Sequence, residues 1–170
     1  MMRVERRDWG MIAYAAIVLG HWGEHLLQAF QIWVLGWPPP RALGALGLLA
    51  PGLVRSEWLH WGYNLFVLVG AILLLGRFAG RARGWWMAAI VVQVWHFLEH
   101  GLLLGQAILH RNLLGTEVPT SVLQLVVPRV ELHLAYNGIV TALLIWAVVS
   151  QYRAAMFPRR VTQAIRPVEA

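Results

Sequence analysis

The chain has no cysteine. Disulfides, thiolate metal ligands and cysteine nucleophiles are therefore all excluded. Lysine is absent too, so all fourteen basic residues are arginine. Charged residues make up only 13% of the 170 positions, against about 25% in an ordinary soluble domain. The shortage of charge, with 59% hydrophobic residues, places the chain outside the soluble globular class. Its length suffices for one domain. The net charge of +6 does not indicate nucleic acid, because the arginines cluster at the ends of apolar runs, as topology signals do.

Four apolar segments are long enough to cross a bilayer, which takes about 20 residues. They run from Trp9 to Leu35, Trp58 to Leu75, Trp85 to Leu109 and Val130 to Ser150. The first follows "MMRVERRDW" and continues beyond a cleavable leader, so it reads as a retained signal anchor. An arginine-rich loop, "RFAGRARG", separates the second span from the third. The other two connections are longer and unusually apolar, which predicts that they lie at the interface as short helices or cover the bundle mouth.

Arginine counting sets the orientation. Arg3, Arg6 and Arg7, then Arg77, Arg81 and Arg83, then Arg153, Arg159, Arg160 and Arg166 share one side of a four-span protein. The other side has Arg41, Arg55, Arg111 and Arg129. The positive-inside rule predicts a multi-pass protein of the cell (inner) membrane with both termini cytoplasmic.

Two motifs recur in the same order. "HWGEH" from His21 pairs with "HFLEH" from His96, an offset of 75 residues. "HWGYN" from His60 pairs with "HLAYN" from His133, an offset of 73. Gln31 and Gln106 also pair at 75. The expected fold is an all-α integral membrane bundle of four transmembrane helices, built by tandem duplication of a two-helix unit. Repeat one covers about 9–76, repeat two about 85–150, and 151–170 is a cytoplasmic tail. The implied pseudo-twofold axis runs along the membrane normal.

Helix residues at i, i+3 and i+4 share a face. His21, Glu24 and His25 therefore point one way, as do His96, Glu99 and His100. His60 with Asn64, and His133 with Asn137, are i, i+4 pairs. At about 1.5 Å per residue, all ten side chains fall in one slab of the outer half. Ionisable groups inside a membrane are costly and mark function. One ion takes four to six ligands, so the ten suit two metal ions, outer partners included. Without sulfur, iron is favoured and zinc comes next. Haem b, with histidine axial ligands, is a less favoured alternative.

In carrying several histidine boxes on its helices, the chain resembles, in outline, the integral-membrane di-iron desaturases and hydroxylases. The adjacent-histidine boxes usual in those enzymes are absent. The resemblance covers only the idea of histidine-rich boxes; the leading expectation from the metal constellation is an oxidoreductase using oxygen on a lipophilic substrate, with an external electron donor. In that reading the six histidines are ligands, Glu24 and Glu99 bridge the metals or accept protons, and Asn64 and Asn137 are weak ligands or donors to ligands. The order His-x-x-Glu-His also matches a short zinc-hydrolase pattern, in which Glu24 or Glu99 would activate water. A third reading is a non-enzymatic haem- or metal-binding accessory subunit of a larger membrane complex. Tyr63 and Tyr136 are expected to pack, and Arg55 and Arg129 to form rim ion pairs with Glu57 and Glu131.

Overall fold

A computed structural model describes residues 9–156. Arg3, Arg6, Arg7, Arg159, Arg160 and Arg166, on which the orientation partly depends, lie outside these described residues. The described chain forms six α-helices and three 3-10 turns, with no strand. The helices are α1 (Trp9–Trp33), α2 (Gly44–Leu49), α3 (Pro51–Val54), α4 (Glu57–Leu74), α5 (Gly80–Leu109) and α6 (Arg129–Met156).

Three helical segments, Glu57–Arg77, Gly80–Leu109 and Arg129–Met156, are long and apolar enough to cross a membrane. The 25 residues of α1 would extend roughly 37 Å at about 1.5 Å per residue, which is long enough. It carries His21, Glu24, His25, Gln28 and Gln31 in its second half, as α5 carries Gln93, His96, Glu99, His100 and Gln106, but the longer α5 keeps a sufficiently apolar stretch beside them. The residues that make α1 interesting are those that lower its hydropathy.

Two expected boundaries change. The "RFAGRARG" loop is mostly helix, because α5 starts at Gly80. Arginine is a good helix former, so only a tight reversal is needed. It is made by the 3-10 turn Leu75–Arg77, extended Phe78 and Ala79, and Gly80 at φ +52°, a value that glycine adopts without penalty. Gln151 of α6 buttresses this turn, accepting from the Ala79 N–H at 3.2 Å and donating to the Arg77 carbonyl at 3.4 Å. The last long helix, α6, runs on to Met156, so 151–156 is helical.

The four long helices form a ring in which α5 packs closely on α4 and α6, and α1 packs on α6. The fourth contact, α1 against α4, is the loosest of the four. The two ends of this bundle differ in chemistry. Towards the end carrying Arg77, Arg81 and Arg83, the interior is apolar: Tyr14, Val18, Val67, Ala71, Phe78, Ala82, Trp86, Ala89, Val140 and Leu144. Small residues let the backbones approach closely, and Trp86 Nε1 reaches the Ala71 carbonyl at 2.7 Å. Towards the other end the interior is polar. Meanwhile the exterior carries Ile12, Ile17, Phe30, Val69, Leu73, Val91, Leu98, Ile139 and Trp146 exposed. A fold with its apolar groups outside and its polar groups inside suits lipid rather than water.

Tyr14 lies over Gly70 across the loose α1–α4 contact. Tyr14 donates to the Val67 carbonyl at 3.1 Å, and a Cβ at position 70 would stand 2.6 Å from its ring. Gly70→Leu is therefore expected to push α1 off α4 and to cost about 2 kcal/mol, as overpacking does. Thermal unfolding in detergent measures it; an unchanged midpoint would refute the close approach.

Candidate metal centre

The polar end is built by helical spacing. One turn of α1 carries His21 and His25, whose Nε2 atoms lie 3.0 Å apart. The matching turn of α5 carries His96 and His100, with Nε2 atoms 3.1 Å apart. From α6, His133 Nε2 reaches His100 Nε2 at 3.0 Å. From α4, the His60 ring stacks parallel to that of His100 with centroids 5.7 Å apart. His25 and His133 link the two halves, at 5.7 Å between rings. Six imidazoles thus form one cluster.

Within it, His96, His100 and His133 are all buried, and their nitrogens lie close enough to hold one metal ion. Proton placement favours this. His133 Nδ1 donates to the Arg129 carbonyl at 2.8 Å; a carbonyl only accepts, so this nitrogen carries the proton and neutral Nε2 presents a lone pair. His100 Nε2 touches two neighbours at once, and one N–H cannot make straight hydrogen bonds to both. The Nδ1 atoms of His96 and His100, which would carry the protons of Nε2-bound rings, are buried without a partner among the described residues. A cation resolves the conflict by taking all three Nε2 lone pairs. With metal–nitrogen bonds of about 2.0–2.1 Å, neighbouring ligands stand roughly 3.0–3.4 Å apart, which accommodates the two contacts seen. His60 is oriented like His133, with Nδ1 donating to the Ser56 carbonyl at 2.9 Å.

The other predicted site residues sit around the cluster. Glu24 accepts from the Leu46 N–H, at 3.2 and 3.3 Å to its two oxygens, and Glu99 accepts from the Leu123 N–H at 3.0 Å. Both carboxylates therefore hold the long connections over the bundle end. Gly44, at φ +72°, is needed there, since a Cβ would strike the Glu24 carboxylate. Asn64 and Asn137 turn back on their own helices, each donating at 2.9 Å to the carbonyl of His60 or His133. Tyr63 stacks on His21 at 3.6 Å and Tyr136 on His96 at 4.5 Å, which is the packing role expected of them. Arg129 pairs with Glu57 at 2.7 Å, joining α6 to α4, whereas Arg55 donates to the Pro40 carbonyl at 3.1 Å.

Gln31 and Gln106 are clasps. Gln31 binds both backbone groups of Gly44, at 2.9 and 3.4 Å. Gln106 binds both of Thr120, at 2.9 and 3.2 Å, and the Leu113 N–H at 2.7 Å. Gln106→Leu leaves two backbone donors without partners. At about 1 kcal/mol per net hydrogen bond, amide exchange at Leu113 and Thr120 is expected to quicken about tenfold or more, with metal content unchanged. Loss of the metal instead would tie Gln106 to the centre itself.

Two contributors were not foreseen. Gln28 donates to the Ala42 carbonyl at 2.6 Å and helps fold the first connection back. Gln93 donates to Asn64 Oδ1 at 2.8 Å and to its carbonyl at 3.2 Å, joining α5 to α4. Its place three residues before His96, on the face that carries His96 and His100, was the available signal.

A cavity of about 750 Å³ opens beside the cluster. It lies where α1 and α4 are least closely packed, and the first connection forms one wall. His21, His25, His60 and His133 border it, with Glu24, Tyr63, Arg55 and Arg129, and apolar Ala16, Ile17, Leu43, Leu46, Leu59 and Val130. No protein-family model, curated protein or solved structure matches the chain.

Proposed function

We propose that the protein is a membrane-embedded, metal-dependent oxidoreductase that uses oxygen on a lipophilic substrate, with electrons from a separate donor. The observation carrying the metal reading is the gathering of one ring nitrogen each from buried His96, His100 and His133 within 4.8 Å of one another. Two ions, iron favoured, are assigned to the six-histidine cluster. Imidazole suits iron and zinc alike, and bound iron would supply the redox chemistry.

The fold in this reading is a four-span bundle with α1 as the fourth span. The exposed face of α1 supports it: Ile12, Ile17, Leu19, Leu26 and Phe30 point outward, while its polar residues turn to the interior. Duplication accounts for the paired contacts: Tyr63 on His21 and Tyr136 on His96, Glu24 and Glu99 each on a connection, Asn64 and Asn137 each on a histidine carbonyl. Both termini are assigned to the cytoplasm by arginine placement. The centre would then lie in the outer half, reached by a lipophilic substrate through the gap between α1 and α4. The protein's own groups bind and orient: apolar side chains receive the substrate, and the clasped connections keep water from the cluster.

A zinc hydrolase is the second reading, and one observation favours it: Glu24 borders the cavity beside His21 and His25. Against it, that carboxylate is already held by the Leu46 N–H. The test uses protein in lipid nanodiscs with a total lipid extract, reduced anaerobically and exposed to labelled oxygen. The expected result is iron in the protein and labelled oxygen in a lipid-soluble product. Zinc alone with no oxygen uptake would replace the proposal by the hydrolase; a haem absorption band would replace it by a b-type cytochrome.

A further inference from the structure

The two halves of the histidine cluster are not equivalent. In the α5–α6 half, His96 and His100 are each 1% exposed, and neither borders the cavity, which this half meets only through His133. His133 closes on His100 edge-on, with ring centroids 4.9 Å apart. In the α1–α4 half, His21 and His25 keep the matching 3.0 Å contact, but the third imidazole is displaced. His60 is hydrogen-bonded to no other imidazole among the described residues. It lies flat against His100 instead, and His21, His25 and His60 all face the cavity.

The displacement has a visible cause. Gln93 grips Asn64 through two hydrogen bonds, and Asn64 lies one turn from His60. This draws that part of α4 towards α5 and away from α1. Position 18, which stands to His21 as position 93 stands to His96, holds valine, so no equivalent grip draws α6 towards α1. Three histidines leave a metal ion a free position, so what closes the first site is the burial of His96 and His100, and what opens the second is the cavity.

We infer that the protein holds two metal ions of different kinds: a closed one on His96, His100 and His133, and an open, exchangeable one on His21 and His25, with His60 across the cavity. The second site is where a small exogenous ligand or the reacting part of a substrate would bind. Gln93 is a positioning residue that makes the sites unlike. The inference rests on the metal reading above and adds that the sites divide the work.

The test is cobalt(II) titration of the purified full chain in nanodiscs, followed by absorbance, with chelator and azide as probes. Two ions should bind, with removal rates differing by at least about tenfold, the scale on which a site's surroundings alter metal affinity. Azide should change the spectrum of the fast-leaving ion only. His21→Ala with His25→Ala should abolish that ion and the azide response while leaving the slow ion. Gln93→Val should narrow the difference in rate; an unchanged difference would remove Gln93 as its cause. Two ions leaving at one rate, or an azide response that survives in the double variant, would overturn the inference while leaving the metal reading standing. One slow ion without a second would do the same. Failure to bind any cobalt would overturn both.

Discussion

His100→Ala is expected to empty the closed site and to reduce metal affinity by well over 100-fold. His100 is the central ring of the cluster: its Nε2 meets both His96 and His133, at 3.1 and 3.0 Å. Loss of a hydrogen-bonding partner behind a ligand already costs about 10–100-fold in metal affinity, and a direct ligand costs more. The substitution also removes the surface against which His60 stacks. The variant should therefore lose its closed-site ion and loosen α4 near His60, while the apolar half keeps its packing. Metal content after dialysis, with unfolding followed in parallel, separates the two effects. Retention of the slow ion by folded His100→Ala protein would show that this histidine is packing, and would move the centre elsewhere in the cluster.

Trp86→Ala is expected to have the largest effect on the fold without touching the cluster. Trp86 is 1% exposed and stacks on Phe78 at 4.1 Å and 19°. It packs near Tyr14, and its indole N–H holds the Ala71 carbonyl of α4. Removal should cost about 3 kcal/mol, the low end for deleting a buried aromatic. The low end applies because lipid supplies little hydrophobic drive between helices and packing carries the stability. Reversible unfolding in mixed micelles measures it. A loss well under 1 kcal/mol would mean that the apolar half is not what ties α1, α4 and α5 together.

Much of this arrangement was legible in the order of residues. The apolar runs give the helical class, and i, i+4 spacing places His21 with His25 and His96 with His100. Their meeting with His60 and His133 followed from depth alone, because rise per residue is fixed in a helix. The destinations of Glu24 and Glu99 were not legible. Their partners, the Leu46 and Leu123 amides, belong to connections whose path has no periodicity to read. The same holds for Gln31 and Gln106, which were noted only as a pair. Asn64 and Asn137 lay on the right faces, yet their short side chains found carbonyls of their own helices first, as asparagine commonly does.

The start of α5 is not legible in the sequence for a different reason. "RFAGRARG" looked like a loop because its arginines are polar, but charge does not end a helix, and the single glycine at position 80 was enough for the reversal. The polar residues of α1 had the opposite effect. They mark the site, and in a helix of 25 residues, against 30 in α5, they leave no stretch as apolar as those of α4, α5 and α6.

The central claim is that His96, His100 and His133 hold a metal ion. Elemental analysis of the purified full chain, joined to X-ray absorption at the edge of whatever metal is found, tests it most directly. Stoichiometric metal is expected, with a nitrogen shell of imidazole type at about 2.0–2.2 Å, lost in the His96→Ala, His100→Ala, His133→Ala triple variant. Metal-free wild-type protein, or a nitrogen shell unchanged in the folded triple variant, would contradict it.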